Sequence, residues 1–113
     1  MSKLPEVEPP IFRGKPAGYV VASYMDYYLS ILQFDTYSEA RDFMLGQLIE
    51  NTKPEDQANL TKKIQEHPVE YGLRDKWNQH YLGWSNMNAW NEREDVCIVI
   101  SPIYQTAKEQ YED

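Results

Sequence analysis

A chain of 113 residues has room for one compact unit and none for a two-domain enzyme. Eighteen acidic residues against eleven basic ones give a formal charge of −7, which argues against partners bound through phosphates and against an anionic membrane surface. Cys97 is the sole cysteine, so an intramolecular disulfide is impossible and a disulfide-scaffold domain is excluded.

A lone cysteine fits a reducing compartment, and the N-terminal stretch lacks the apolar run of a signal peptide, so a cytoplasmic location without export is expected. The most apolar stretch, residues 19–34, is interrupted by Ser23, Asp26, Ser30 and Gln33 and is too short to span a bilayer. Mean hydropathy is −0.70 although 42% of residues count as hydrophobic, because nine tyrosines and three tryptophans carry polar tips. An aromatic, amphipathic core follows.

Residues 1–17 hold prolines 5, 9, 10 and 16 and cannot carry a helix or an inner strand, because each proline removes a donor and biases its predecessor toward extended backbone. They read as an extended arm that touches the body through Ile11 and Phe12, with 18–113 as a single compact domain. Residues 19–24 and 27–34 are dense in Tyr, Val, Ile and Leu and predict a hairpin turning near Met25 and Asp26. An amphipathic helix is the rival, since Val21, Met25, Tyr28 and Leu32 recur at helical spacing. Thr36 and Glu39 form a capping box ahead of Tyr37, Ala40, Met44 and Leu48, which predicts a helix over 36–50 with Phe43 widening its stripe. Thr52 and Glu55 repeat the box with Pro54 in the first turn, so a second, largely solvated helix is expected over 53–66.

Val69, Leu73, Trp77, Tyr81 and Trp84 recur at helical spacing and predict a third helix over 69–82. Residues 96–100, VCIVI, read as a strand buried on both faces, which makes Cys97 a core residue. That strand needs paired neighbours and is what favours the hairpin over the helix at 19–34. Ser101 and Pro102 then open a terminal helix over 102–111. The fold class is α+β, a small antiparallel or mixed sheet packed with helices.

No metal or cofactor is expected: two histidines thirteen residues apart and one distant cysteine do not make a zinc site, and no Gly-rich loop precedes a helix to cradle phosphate. His67 precedes Pro68 and suits the end of a helix. The densest chemistry lies in residues 77–91, where three tryptophans, Tyr81 and His80 alternate with four asparagines. Rings interleaved with amides suit a ligand pocket or a protein hot spot, and the candidate binding residues are Trp77, His80, Tyr81, Trp84, Asn88 and Trp90. Core packing of Trp77 and Trp84 is the plain alternative.

The leading expectation is a small acidic, non-enzymatic interaction protein: an inhibitor, an immunity or antitoxin-like protein, or an adaptor, of the kind phages and mobile elements encode. Its partner would be a protein with a basic patch, met by Glu39, Asp42, Glu50, Glu55, Asp56, Glu66, Glu70 and Asp75 on the helices. Self-association through a strand edge or through the Trp region is a further option. The alternative is a small-molecule-binding module with a Trp/Asn/His pocket. A small hydrolase using His80 with a neighbouring carboxylate ranks last.

Overall fold

The computed structural model describes residues 4–104. Strands β1 (Gly18–Met25) and β2 (Tyr28–Phe34) form the hairpin, not a helix, and Met25 pairs with Tyr28 across a two-residue turn. Asp26 and Tyr27 both lie in the left-handed region, with φ of 51° and 68°. Two positive values in succession define a type I′ turn, whose twist matches that of paired strands. Tyr27 holds its conformation against the steric preference of a bulky side chain.

Helix α1 (Tyr37–Glu50) begins as expected: Thr36 is its N-cap, with Oγ1 accepting from the Glu39 amide at 3.2 Å and donating to the Glu39 carboxylate at 2.9 Å. Helix α2 (Pro54–Glu66) departs from the expected box. Its N-cap is Lys53, without a side-chain cap, because the Thr52 hydroxyl turns back and donates to Leu48 O at 2.8 Å. Pro54 still occupies the first turn, where a missing N–H costs nothing. His67 ends α2 as its C-cap and stacks on Tyr71 with centroids 4.4 Å apart.

The expected helix over 69–82 does not form. Strands β3 (Tyr71–Arg74) and β4 (His80–Trp84) take its place, and β5 (Asn88–Asn91) continues the meander. The helical spacing of 69, 73, 77, 81 and 84 is fortuitous, and the operative period is two: Tyr71 and Leu73 face Trp84 and Leu82 across the ladder, with Gly72 opposite Gly83. Asp75 drives the turn, its Oδ1 accepting from the amides of Trp77 and Gln79 at 2.8 and 3.1 Å while Asn78 adopts a φ of 66°.

After a 3₁₀ turn at Glu92–Glu94, β6 (Val96–Ile103) runs three residues further than expected. Pro102 and Ile103 continue the strand opposite Tyr19 and Gly18, so no helix starts at 102; the remainder of that expected helix, beyond residue 104, lies outside the described residues. β6 is also not buried on both faces. Val96, Ile98 and Ile100 point inward, whereas Cys97 and Val99 are exposed, which corrects the placement of Cys97 in the core. The cause is that helices cover one face of the sheet, leaving the other uncovered among the described residues.

The six strands are antiparallel throughout, in the order β2-β1-β6-β5-β4-β3. The core joins Val21, Ile98, Ile100 and Trp84 of the sheet to Met44, Leu45 and Leu48 of α1 and to Leu60 and Ile64 of α2. Residues 4–17 carry no regular element but are tied to the body at several points, the Ala17 amide donating to Ile103 O at 2.7 Å among them. Phe12 packs 5.5 Å from Tyr19 and 6.4 Å from Tyr37, although its neighbour Ile11 is fully exposed.

Another tie is Arg41, buried in the first half of α1, which donates to Pro5 O at 2.8 Å and to Pro68 O. One guanidinium thereby joins the arm, α1 and the connection between α2 and β3. Burial lowers the Arg41 pKa, opposed by its neighbours Tyr37 and Asp42. Burial likewise raises that of Tyr37, which keeps its proton and donates to Asn86 O.

Candidate functional site

The structure disperses the six residues singled out by composition. Trp84 is core, 1% exposed, its indole N–H donating to His67 O at 2.8 Å. Trp77 stands 70% exposed in the β3–β4 turn, with Lys76 Nζ 4.9 Å from its ring centre. Asn88 closes the β4–β5 turn, its Oδ1 accepting from Ser85. His80 and Trp90 do come together on the uncovered face, where the two glycines leave room: the His80 ring lies over Gly72 and the Trp90 ring over Gly83. With Glu70, Tyr71, Ser85 and the edge of Trp84 they line a shallow open depression. Neither imidazole has a carboxylate partner among the described residues, where no cluster of three or more metal-ligating side chains occurs either.

Tyr81 belongs elsewhere. It lines a cavity of about 190 Å³ between α2 and the inner sides of β4 and β5, with the Arg93 guanidinium 3.8 Å over its ring. Lys53, Asp56 and Lys63 descend one face of α2 into this cavity, Glu94 stands beside Arg93, and Leu73 and Leu82 form the apolar wall. Lys53, Lys63 and Arg93 have no carboxylate within ion-pair distance among the described residues. The cavity is therefore lined by three cations and two carboxylates in a chain of net charge −7.

Asn91 is 3% exposed in the same wall. The Thr52 hydroxyl spends its proton on Leu48 O, so its Oγ1 can only accept, and it does so from Asn91 Nδ2 at 3.3 Å. That fixes the amide orientation and leaves Asn91 Oδ1 without a hydrogen-bond partner. Sequence reasoning missed this site because its residues come from α2, β3, β4, β5 and the 3₁₀ turn, with no local motif to mark them.

A second feature is the uncovered side of β2, β1 and β6. Its outward positions carry Leu29, Ile31 and Gln33 from β2, Val20, Ala22 and Tyr24 from β1, and Cys97, Val99, Ser101 and Ile103 from β6. None is charged. Leu29 is 64% exposed, Ile31 61%, Tyr24 48% and Val99 42%. β2 is also a sheet edge, exposed along almost its whole length, and among the described residues nothing bonds to its outward backbone. Exposed apolar surface of this extent marks an interaction site more often than free solvent-facing sheet.

The acidic positions fall partly as expected: Glu39, Asp42, Glu50, Glu55, Asp56 and Glu66 are exposed on the two helices. Glu70 precedes β3 and Asp75 sits in the β3–β4 turn, so neither extends a helical face. No helix among the described residues is long and apolar enough to cross a membrane. Comparison with protein-family models, with curated proteins and with solved structures finds no match.

Proposed function

We propose that the chain is a non-catalytic interaction module that binds protein through the β2 side of its sheet, using the free edge of β2 and the uncharged surface beside it. The observation that carries this reading is a seven-residue edge strand with large apolar side chains exposed on both faces and no charged residue. Extended chain added to such an edge gains main-chain hydrogen bonds, and alternate side chains supply specificity. Acidic groups stand outside that surface, at Asp26 and Asp35 and on the helices, where they suit a partner with a basic rim.

The chain used as bait in a native lysate is expected to retain a discrete protein, its own untagged copy included, in near-stoichiometric amount. A bait carrying Leu29→Lys and Ile31→Lys is expected to lose it while keeping its far-ultraviolet circular dichroism. Equal retention by both baits, or nothing retained by either, refutes the reading.

A second reading is favoured by Asn91 Oδ1 and by three cations in the same lining that have no carboxylate partner among the described residues: the cavity between α2 and β5 accepts a small monoanion that carries an N–H or O–H donor. Asp56 and Glu94 disfavour a dianion such as phosphate, whereas one carboxylate suits Lys53 and Lys63, and an apolar tail suits Leu73 and Leu82. Titration with N-acetyl-L-leucine, which carries one carboxylate, one N–H and an apolar tail, followed by ¹H–¹⁵N NMR, is expected to shift the Asn91 side-chain amide and Arg93 saturably. Lys53→Ser with Lys63→Ser is expected to weaken binding by about tenfold, and the absence of saturable shifts at about 10 mM refutes it.

A further inference from the structure

We propose that the occupant of the β2 edge is a second copy of this chain, paired antiparallel about a two-fold axis at Ile31 to give one continuous sheet of about twice six strands. This rests on the interaction reading above and names its partner.

The hairpin turn fixes which backbone groups are on offer. A two-residue type I′ turn closes on a hydrogen-bonded pair, here Met25 with Tyr28. Antiparallel pairs alternate between bonded and non-bonded, so Ser30, Leu32 and Phe34 also bond to β1. The N–H and C=O groups of Leu29, Ile31 and Gln33 therefore point outward, away from β1. These three positions are symmetric about Ile31. In an antiparallel pairing centred there, Leu29 faces Gln33 of the second copy, Ile31 faces itself, and about six backbone hydrogen bonds form. Tyr28 then lies opposite Phe34 of the second copy on the other face, an aromatic cross-strand pair.

The two edges of the sheet differ in how they are guarded. At the far edge, β3 has four residues, a register shift between Leu73 and Arg74, and a charged terminal residue. Those are the devices that keep edge strands from pairing. β2 has none of them: seven residues in unbroken register, without proline, charge or bulge. Charge points the same way. Two copies of net charge −7 repel, so a stable contact between them must be free of carboxylates, and 28–34 is. Asp26 and Asp35 bracket the strand, and in this register Asp35 comes alongside Tyr27 of the second copy, next to its Asp26. Like charges meet at both ends, so screening by salt tightens the pairing, whereas it weakens attraction to a basic partner.

An edge contact of this length lies at the small end of specific interfaces, which implies a dissociation constant on the order of 10–100 μM. Sedimentation equilibrium of the full chain is expected to show a monomer–dimer equilibrium in that range, tightening as salt is raised from about 50 to 500 mM. Ile31→Lys and Ile31→Glu each place like charges face to face on the axis and are expected to be monomeric. Mixed in equal amounts, the two variants are expected to dimerise again, because Ile31 meets only itself.

Val69→Lys, 49% exposed just ahead of β3 at the opposite edge of the sheet and outside the proposed surface, is expected to leave the dimer intact. A wild-type chain still monomeric at about 1 mM overturns the pairing. So do single variants that remain dimeric, a mixture that fails to associate, a dimer abolished by Val69→Lys, or a dimer weakened by salt. Both Ile31 variants should keep the wild-type circular dichroism, since the side chain is 61% exposed. A monomeric chain that still retains a foreign protein in the bait experiment overturns self-pairing alone, whereas a monomeric chain that retains nothing overturns the interaction reading as well.

Discussion

Gly83→Ala is expected to destabilise the protein by about 3 kcal/mol or more, although it adds a single methyl group to a sheet surface. A Cβ at Gly83 would stand 2.4 Å from Tyr71 O, 2.7 Å from Trp90 Cζ2 and 3.0 Å from Gly72 Cα. Two of these neighbours are backbone of the adjacent strand and cannot turn aside. Relief requires β3 to move off β4, which breaks the ladder from Tyr71 to Leu73, or Trp90 to leave its seat. Gly46 is the control: a Cβ there meets nothing within 4 Å, and alanine is the better helix former, so Gly46→Ala in α1 is expected to raise the melting temperature slightly. Chemical denaturation of the two variants checks both signs, and equal stability of Gly83→Ala and wild type would show that β3 and β4 are spaced more widely than described.

Trp84→Ala is the other large effect, about 4 kcal/mol, in the range for a large buried aromatic truncated to alanine. Trp84 is 1% exposed, its ring lies 5.3 Å from that of Tyr71, and its indole N–H is bonded to the carbonyl of the α2 C-cap, His67. Removal leaves a void under α2 and an unsatisfied carbonyl at the helix end. Trp84→Phe retains most of the packing and loses the bond, so its cost is expected to be about 1–2 kcal/mol. Urea unfolding followed by circular dichroism separates the two. A Trp84→Ala cost under about 1 kcal/mol would place this ring outside the core.

The elements that were legible in the sequence are those whose signals are local. The Thr36 box and the stripe from Tyr37 to Leu48 define α1, and the β-rich run about Asp26 defines the first hairpin. The second hairpin was not legible because Val69, Leu73, Trp77 and Tyr81 imitate a helix, while the decisive facts, Gly72 against Gly83 and the Asp75 turn, emerge only once the strands pair. β6 was misjudged for a related reason. Its five consecutive apolar residues look like a strand covered on both sides, and the sequence does not announce that both helices lie on one side of the sheet. The candidate binding residues followed composition, yet composition cannot tell which face of a strand a ring occupies. Trp84 therefore went to the core, Trp90 to the uncovered face, and Tyr81 to a cavity beside Arg93.

The strand order has a consequence for the time course of folding. β1 and β2 can pair as soon as both exist, and so can β3, β4 and β5, because each of those ladders joins neighbours in the chain. β6 alone bridges the two sets, pairing Val21 with Ile100 and Ala89 with Ile98 across widely different sequence separations. A nascent chain halted before Val96 would thus hold two sub-sheets with raw flanks at β1 and β5, and α1, which packs on β1, β5 and β6, would lack one of its supports. Closure of such distant ladders is slow, and until it happens those flanks invite misassembly. Emergence of β6 is thus the step at which the strands of the described residues can join into one sheet.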